Sequence, residues 1–303
     1  MVIGGELLYI PLNPESTPFN LDDTLSCGQV FRWEKKYNYW YGIVGQTIVK
    51  VRQDQNRLYF QTFPEEMGAD FISKYFRLDD DLPKIILNID KDETIHKAIN
   101  GLYGLRIIRQ DIWESIISFI CATFSNIPRI KGMIHNISRK FGRKIVFNGL
   151  AFYTFPSVDV LSNATLSQLL DCRLGFRAKY IKSTSSILKE SWTNLDHLNK
   201  LPYFEAKHHL LTLPGVGPKV ADCILLFSLE RLEAFPVDVW VRRVLFKHYC
   251  KHFQEVESLS KKDLALSHYN QLSDFGRKYF GKYAGYAQEY LFHYYRFNSS
   301  ACF

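Results

Sequence analysis

The hydrophobic pattern changes period once along this chain. Between residues 29 and 63 the segments QVFRW (29–33), YWYGIV (39–44), TIVKV (47–51) and RLYFQTF (57–63) are short and rich in Tyr, Phe, Val and Ile. The pieces between them, EKKYN, GQ and RQDQN, suit hairpin loops, so this stretch predicts a small antiparallel sheet. After Pro64 the apolar residues return at intervals of three and four. FISKYF, DIWESIISFICATF, IPRIKGMIHNISRKFG, TLSQLLDCRLG, KYIKSTSSILKES and YFEAKHHLLTLPG all read as helix, with Gly142 a C-cap candidate. The expected class is α+β: a small N-terminal antiparallel sheet unit (1–80) followed by a large all-α body (81–303), with the change of period between 64 and 95.

One segment of the helical part carries more than periodicity. EAKHHLLTLPGVGPKVADCILLFSL (205–229) reads as helix, tight turn, helix. Gly215 and Gly217 are expected to supply unusual backbone angles, and Pro218 suits the first helical position, where its missing N–H is not needed. The backbone of Gly215, Val216 and Gly217 can then face a phosphate oxygen, directly or through a bound cation. An ordinary helical hairpin explains Gly-x-Gly equally well; the full string L-P-G-V-G-P-K is far more specific. Lys219 falls in the first turn of the second helix. There the macrodipole and partial burial should both lower its pKa and make it a better nucleophile. A phosphate-binding lysine with no covalent role fits the same position.

Asp238 opens the next helical pattern, in EAFPVDVWVRRVLFKHY (233–249), where Val241, Val244, Leu245 and Tyr249 share one side and Arg242, Arg243 and Lys247 fall off it. Asp238 is a natural N-cap. It follows Lys219 by 19 residues, enough for the chain to double back and bring the two side chains together.

Composition narrows the classes. The chain has 303 residues, 47% hydrophobic and 23% charged, with a net charge of +7 that is compatible with a nucleic-acid partner without proving one. Its 18 Tyr and 23 Phe are a high count; most are expected in the core, and surface aromatics could stack on bases or membranes. Cys27, Cys121, Cys172, Cys223, Cys250 and Cys302 are scattered, without C-x-x-C, metal-like spacing or the four close cysteines of an iron–sulfur loop. A reduced intracellular protein is expected, with no signal peptide and no apolar run long enough to span a membrane.

The L-P-G-V-G-x-K hairpin followed by P-V-D resembles the helix-hairpin-helix DNA glycosylase superfamily, specifically its 8-oxoguanine DNA glycosylase branch. SCGQVFRW (26–33), QDIWESIISFICATFSNIPRI (110–130), LGFRAKYI (174–181), GPKVADCILLF (217–227) and YAGYAQEYLF (283–292) are similar to that branch in its order, over nearly the whole chain. The missing iron–sulfur loop sets it apart from the endonuclease III and adenine glycosylase branches.

The resemblance implies the following roles. Lys219 attacks the sugar C1′ as the base leaves, and Asp238 stabilises the oxocarbenium charge and helps position the lysine. The resulting Schiff base allows β-elimination at the abasic site, so the enzyme is a DNA glycosylase and AP lyase. The flipped base is held by Gly28, Cys223, Gln288 and Phe292, the Gly28 carbonyl accepting the N7 hydrogen that 8-oxoguanine has and guanine lacks. Each of these residues also has a plain structural reading: a turn, a small core side chain, a surface amide, a core ring. Arg129 and Arg177 meet the orphaned cytosine, and Phe176 wedges into the gap. The hairpin residues Gly215, Val216 and Gly217 meet the DNA backbone. The implied partner is double-stranded DNA containing 8-oxoguanine, bound by a monomer. No cofactor or catalytic metal is expected; a structural monovalent cation at the hairpin, when DNA is bound, is left open.

Phe124 stands where eukaryotic members have asparagine, Trp240 where they have histidine, Phe176 for tyrosine and Tyr295 for aspartate. These departures weaken the expected opposite-base selection and suggest a prokaryotic, cytoplasmic member rather than a nuclear one. A related glycosylase for another damaged base, or a non-catalytic hairpin protein that only binds DNA, would share many of these features. Lys219 and Asp238 together speak against the pure binder.

Overall fold

The computed structural model describes residues 7–190, 193–253 and 266–298. A five-stranded antiparallel sheet opens the chain: β1 (Leu8–Pro11), β2 (Glu34–Lys36), β3 (Tyr39–Val44), β4 (Thr47–Gln53) and β5 (Arg57–Phe63), in the order β1-β5-β4-β3-β2. The register sets Trp40 opposite Val51 and Val51 opposite Phe60. With a side-chain period of two, this gathers Trp40, Val49, Val51, Leu58 and Phe60 on one face, packed with Leu25, Trp33 and Phe76. The opposite face carries Tyr41, Ile43 and Ile48.

Two strand expectations need correction. QVFRW is not a strand, and Glu34–Lys36, read as loop, is β2. The segment before QVFRW is instead helix α1 (Leu21–Ser26), and the chain from Cys27 to Trp33 is an irregular loop whose apolar side chains are buried nonetheless. The Gln29 side chain ties this loop to the backbone around it. Its Nε2 donates to the carbonyls of Thr24 (3.0 Å) and Arg106 (2.8 Å), and its Oε1 accepts from the N–H of Ile108 (2.7 Å).

The helical body runs α2 (Ala69–Tyr75), α3 (Leu82–Ile89), α4 (Glu93–Gly101), α5 (Ile112–Ala122) and α6 (Ile127–Phe141). It continues with α7 (Val158–Asn163), α8 (Leu166–Leu170), α9 (Arg177–Glu190), α10 (Thr193–Leu198) and α11 (Tyr203–Leu211). It closes with α12 (Pro218–Ser228), α13 (Val239–His248), α14 (Leu266–Phe280) and α15 (Ala284–Phe297). Gly142 is the C-cap of α6, as its sequence suggests. One large apolar core joins these helices, from Leu82 to Tyr295, while Leu78 and the residues before it pack mainly on the sheet.

The body is not all helix. A hairpin of β6 (Lys144–Phe147) and β7 (Leu150–Tyr153) interrupts it. Asn148 and Gly149 turn it with positive φ angles of 50° and 74°. The hairpin lies against the second face of the N-terminal sheet, where Phe147 stacks on Phe63 and Phe152 on Tyr41. The sheet is thus packed on both faces. The Arg32–Glu114 ion pair (2.8 Å) adds a polar tie between the units. Among the described residues no helix is long and apolar enough to cross a membrane.

Candidate active site

The hairpin between α11 and α12 places Lys219. Gly215 has φ +84°, and a Cβ there would lie 2.7 Å from Cβ of Tyr180, so only glycine fits. Gly217 does not need its glycine freedom: φ is −91° and ψ 179°, ordinary extended backbone. It caps α12 without a side chain, and the space where a Cβ would stand is open, leaving the helix N-terminus uncovered. Pro218 occupies the first turn as expected.

Behind the hairpin lies a buried ionic cluster. Asp222 is fully buried and accepts from the hydroxyls of Tyr203 and Tyr269, both at 2.6 Å, and from Lys207 Nζ at 2.8 Å. These partners come from α11 and α14, so one carboxylate fixes the angle of α12 against both.

Lys219 is half-buried, with Nζ 5.4 Å from the centre of the Phe119 ring, which itself stacks on Phe227. Cys223 follows one turn on along α12, on the same helix face. Asp238 arrives from the other side as the N-cap of α13, its Oδ1 accepting from the N–H groups of Trp240 (2.9 Å) and Val241 (2.8 Å). Val241, Val244, Leu245 and Tyr249 bury the face of α13 that holds this cap in place.

The electrostatics correct one expectation. Burial pushes the Lys219 ammonium down, but its neighbours, the Asp238 and Glu289 carboxylates among them, push it up and leave it above its usual range. Resting Lys219 is therefore a cation, not the weakened one its helix position predicts. Burial raises the Asp238 carboxyl, opposed by the Val241 N–H and by Lys219. Burial raises the Cys223 thiol to about 11 despite Lys219, so it keeps its proton at neutral pH.

Of the residues expected to hold the base, Gly28 and Phe292 come together. Gly28 has φ +107°, and a Cβ there would meet Ile127 Cδ1 at 2.8 Å, Arg296 Nη1 at 3.1 Å and Phe292 Cε1 at 3.5 Å. Gly28 thus backs directly onto Phe292 of α15. Gln288, one turn earlier, is 5% exposed, and its Oε1 is buried without a hydrogen-bond partner. Cys223 is 3% exposed.

Three residues of this site escape the sequence reading: Glu289, Cys27 and Arg296. Glu289 is 2% exposed with Oε1 unpartnered, and the charges of Arg296, Asp238 and Lys219 act on its carboxyl. Arg296 Nη2 reaches the Ser26 carbonyl (3.4 Å), and its guanidinium lies 4.7 Å from the Phe292 ring centre. The one advance signal was spacing, since Glu289 and Arg296 stand seven apart and share a helix face.

The face expected to meet the orphaned base is partly assembled. Arg129 is exposed at the start of α6, and Phe176 is half exposed over the Arg177 guanidinium (4.4 Å). Phe124 is 90% exposed on a backbone with φ +49°. Arg177 itself is buried. Its Nε donates to the Thr123 carbonyl (3.0 Å) and its Nη2 to the carbonyls of Thr123 and Phe124, so it braces the loop that carries Phe124. The described cysteines are all free thiols, only Cys250 being exposed; Cys302 lies outside the described residues.

Comparison with known proteins places this arrangement of hairpin lysine, capping carboxylate and unpaired amide oxygen in a class. The family model "8-oxoguanine DNA glycosylase, N-terminal domain" matches residues 11–116, and "HhH-GPD superfamily base excision DNA repair protein" matches residues 117–265. The N-glycosylase/DNA lyase of Saccharomyces cerevisiae is 34% identical over 90% of this chain and 82% of its own length. The N-glycosylase/DNA lyase OGG1 of Arabidopsis thaliana is 32% identical over 95% of this chain and 80% of its own. The crystal structure of Clostridium acetobutylicum 8-oxoguanine glycosylase/lyase, in complex with double-stranded DNA containing cytosine opposite 8-oxoG, superposes with a TM-score of 0.84 at 34% identity. It covers 98% of this chain and 99% of its own. The chain belongs to the 8-oxoguanine DNA glycosylase family of helix-hairpin-helix repair proteins.

Proposed function

We propose that this protein is a bifunctional DNA glycosylase and AP lyase that removes 8-oxoguanine, preferentially opposite cytosine, from double-stranded DNA. The observation that supports the reading is the influence of the Asp238 charge on Lys219, together with the close approach of Gly28 to Phe292, one turn from the unpaired Gln288 amide oxygen.

The uncovered N-terminus of α12, with Gly215, Val216 and Gly217, receives the DNA backbone, where N–H groups and the positive helix end favour phosphate. C1′ is shielded inside a duplex, so the damaged nucleotide must leave the stack. Its base then lies between Phe292 and Cys223. Gln288 Oε1 accepts a hydrogen from its Watson–Crick edge, and the Gly28 carbonyl accepts the N7 hydrogen. Guanine would set a lone pair against that carbonyl, an unmade buried bond costing roughly 1–3 kcal/mol. The amine of Lys219 attacks C1′ while Asp238 faces the positive charge growing on the sugar. The amine–sugar adduct opens to a Schiff base, which acidifies C2′–H and lets the 3′ phosphate leave by β-elimination. An attacking water could not give that second step, and the amine route requires no resident metal. The enzyme acts in the compartment that holds the genome; a prokaryotic, cytoplasmic setting suits the absence of eukaryotic side chains at Phe124 and Trp240.

Incubation with matched duplexes carrying 8-oxoguanine or guanine opposite cytosine tests this. Base release and strand nicking are expected on the first only. Release without nicking under mild conditions, or equal action on guanine, would overturn the reading.

A further inference from the structure

Along α15 the residues Gln288, Phe292 and Arg296 follow at intervals of four and share one side of the helix. Gln288 and Phe292 are assigned to the edge and the face of the flipped base; Arg296 is the third residue of the row. Its guanidinium is held by three neighbours. Cζ lies 4.7 Å from the centre of the Phe292 ring and 4.8 Å from that of Phe297, and Nη2 reaches the Ser26 carbonyl at 3.4 Å. The other terminal nitrogen, Nη1, lies 3.1 Å from where a Cβ on Gly28 would stand. It is buried and has no hydrogen-bond partner, so it is not bonded to Glu289, whose own Oε1 is equally unpartnered. An unmade buried bond costs more for a charged group than for a neutral one. This donor is left open beside the glycine and the ring that the base is expected to touch.

We propose that Arg296 is a specificity-determining residue, its Nη1 donating a hydrogen bond to the oxygen on C8 of the flipped 8-oxoguanine. This rests on the base-excision reading and deepens it. 8-Oxoguanine differs from guanine at two neighbouring atoms of the five-membered ring: N7 gains a hydrogen and C8 gains an oxygen. A backbone carbonyl reads the first change, because it accepts. It cannot read the second, which needs a donor. A guanidinium carries donors only, and this one stands against Gly28, whose carbonyl is assigned to N7. The spacing agrees. Gln288 and Arg296 are eight residues apart, about 12 Å along a helix. A purine bonded at its Watson–Crick edge and at O8 needs a similar span, about 6 Å between those atoms and about 3 Å for each hydrogen bond. Phe292 stands midway, where the rings lie. Guanine presents C8–H to the same nitrogen and leaves it unpaired, so Arg296 adds to the discrimination that Gly28 begins.

The test is binding of the full chain to four uncleavable duplexes with cytosine opposite the target: 2′-fluoro nucleotides of 8-oxoguanine, 8-thioguanine and guanine, and a tetrahydrofuran abasic analogue. Wild type is compared with Arg296→Met, which keeps a stem against the two rings and removes the donors, and with Arg296→Lys, which keeps the charge. 8-Thioguanine retains N7–H and exchanges O8 for a larger, weakly accepting sulfur. Arg296→Met should bind the 8-oxoguanine duplex more weakly by roughly tenfold to a hundredfold, with Arg296→Lys in between, and both should bind the abasic duplex as wild type does. Wild type should favour 8-oxoguanine over 8-thioguanine, and Arg296→Met should lose most of that preference; the bulk of sulfur is common to both proteins and cancels in the comparison. An oxygen-to-sulfur ratio that is the same in wild type and Arg296→Met overturns the proposal, because a merely structural role weakens both duplexes alike. Equal loss of affinity for the abasic duplex also overturns it and makes Arg296 a backbone contact. If Arg296→Met fails to fold, the same ratio is read in Arg296→Lys, and wild type binding the two lesions equally overturns the proposal without any variant. Wild type binding 8-oxoguanine no more tightly than guanine would instead overturn the 8-oxoguanine reading itself.

Discussion

Lys219 and Glu289 show how much a side chain's chemistry depends on neighbours far away in sequence. The helix position of Lys219 argues for a weakened cation, yet Asp238, 19 residues on, and Glu289, from the last described helix, turn the balance the other way. Glu289 lies in the quoted string YAGYAQEYLF and went unnoticed because a lone carboxylate in an amphipathic helix ordinarily faces water. The packing of α15 against α4, α13 and α14 buries it. That burial carries a stability consequence. A carboxyl raised from 4.5 to about 7 holds its proton more tightly in the folded chain. The folded state therefore binds more protons than the unfolded one between those values, and stability falls as pH rises through that window. Glu289→Gln removes the penalty. The variant should be more stable than wild type at pH 8, by up to roughly 3 kcal/mol at about 1.4 kcal/mol per pH unit, and should lose that advantage at pH values near 4.5. Urea unfolding of both proteins at the two pH values checks this; a difference independent of pH would contradict it. Asp238→Asn should keep the α13 cap, since asparagine caps nearly as well, while excision falls by about 10²-fold or more for want of a charge facing the sugar cation. Circular dichroism and single-turnover excision separate the two roles.

At the scale of elements, the α11–α12 hairpin was legible because its glycines, proline and flanking periodicity all agree. Its buried support was not. Asp222 lies in GPKVADCILLF as one polar letter, and nothing local says that Tyr203, Lys207 and Tyr269 close around it. Removing one member of a buried pair strands the other, here the Lys207 ammonium, which is only 12% exposed. Asp222→Ala should therefore cost about 3–5 kcal/mol, read as a lowered urea midpoint, and should slow trapping because Lys219 loses its fixed helix. A loss under about 1 kcal/mol would show that α12 is held by apolar packing alone. The β6–β7 hairpin was missed although its signal was present: KIVF and LAFY flank Asn148-Gly149, the strongest short hairpin signal. QVFRW failed for the opposite reason. Its composition is that of a strand, but its buried glutamine side chain bonds the backbone of Thr24, Arg106 and Ile108 and anchors the segment as a loop.

On the scale of the whole molecule, the two arginines expected to meet the orphaned base separate. Arg129 is exposed, a guanidinium available to the N3 and O2 acceptors of cytosine. Arg177 is spent on the carbonyls that shape the Phe124 loop. Arg129→Ala should therefore narrow the ratio of excision opposite cytosine to excision opposite adenine, by an amount on the order of 1–3 kcal/mol. Arg177→Ala should slow excision opposite every base alike. Single-turnover rates on four duplexes that differ only at the opposite base distinguish these outcomes; an unchanged ratio in Arg129→Ala would remove that residue from base selection.

The central claim is that one lysine joins enzyme to DNA. Its most direct test is peptide mapping by mass spectrometry of the borohydride-reduced complex between the wild-type protein and an 8-oxoguanine:cytosine duplex. The account predicts a single adduct, on Lys219, absent from Lys219→Gln although that variant still binds the lesion duplex. An adduct on Lys207 or any other amine, or a trapped complex that persists in Lys219→Gln, would contradict it.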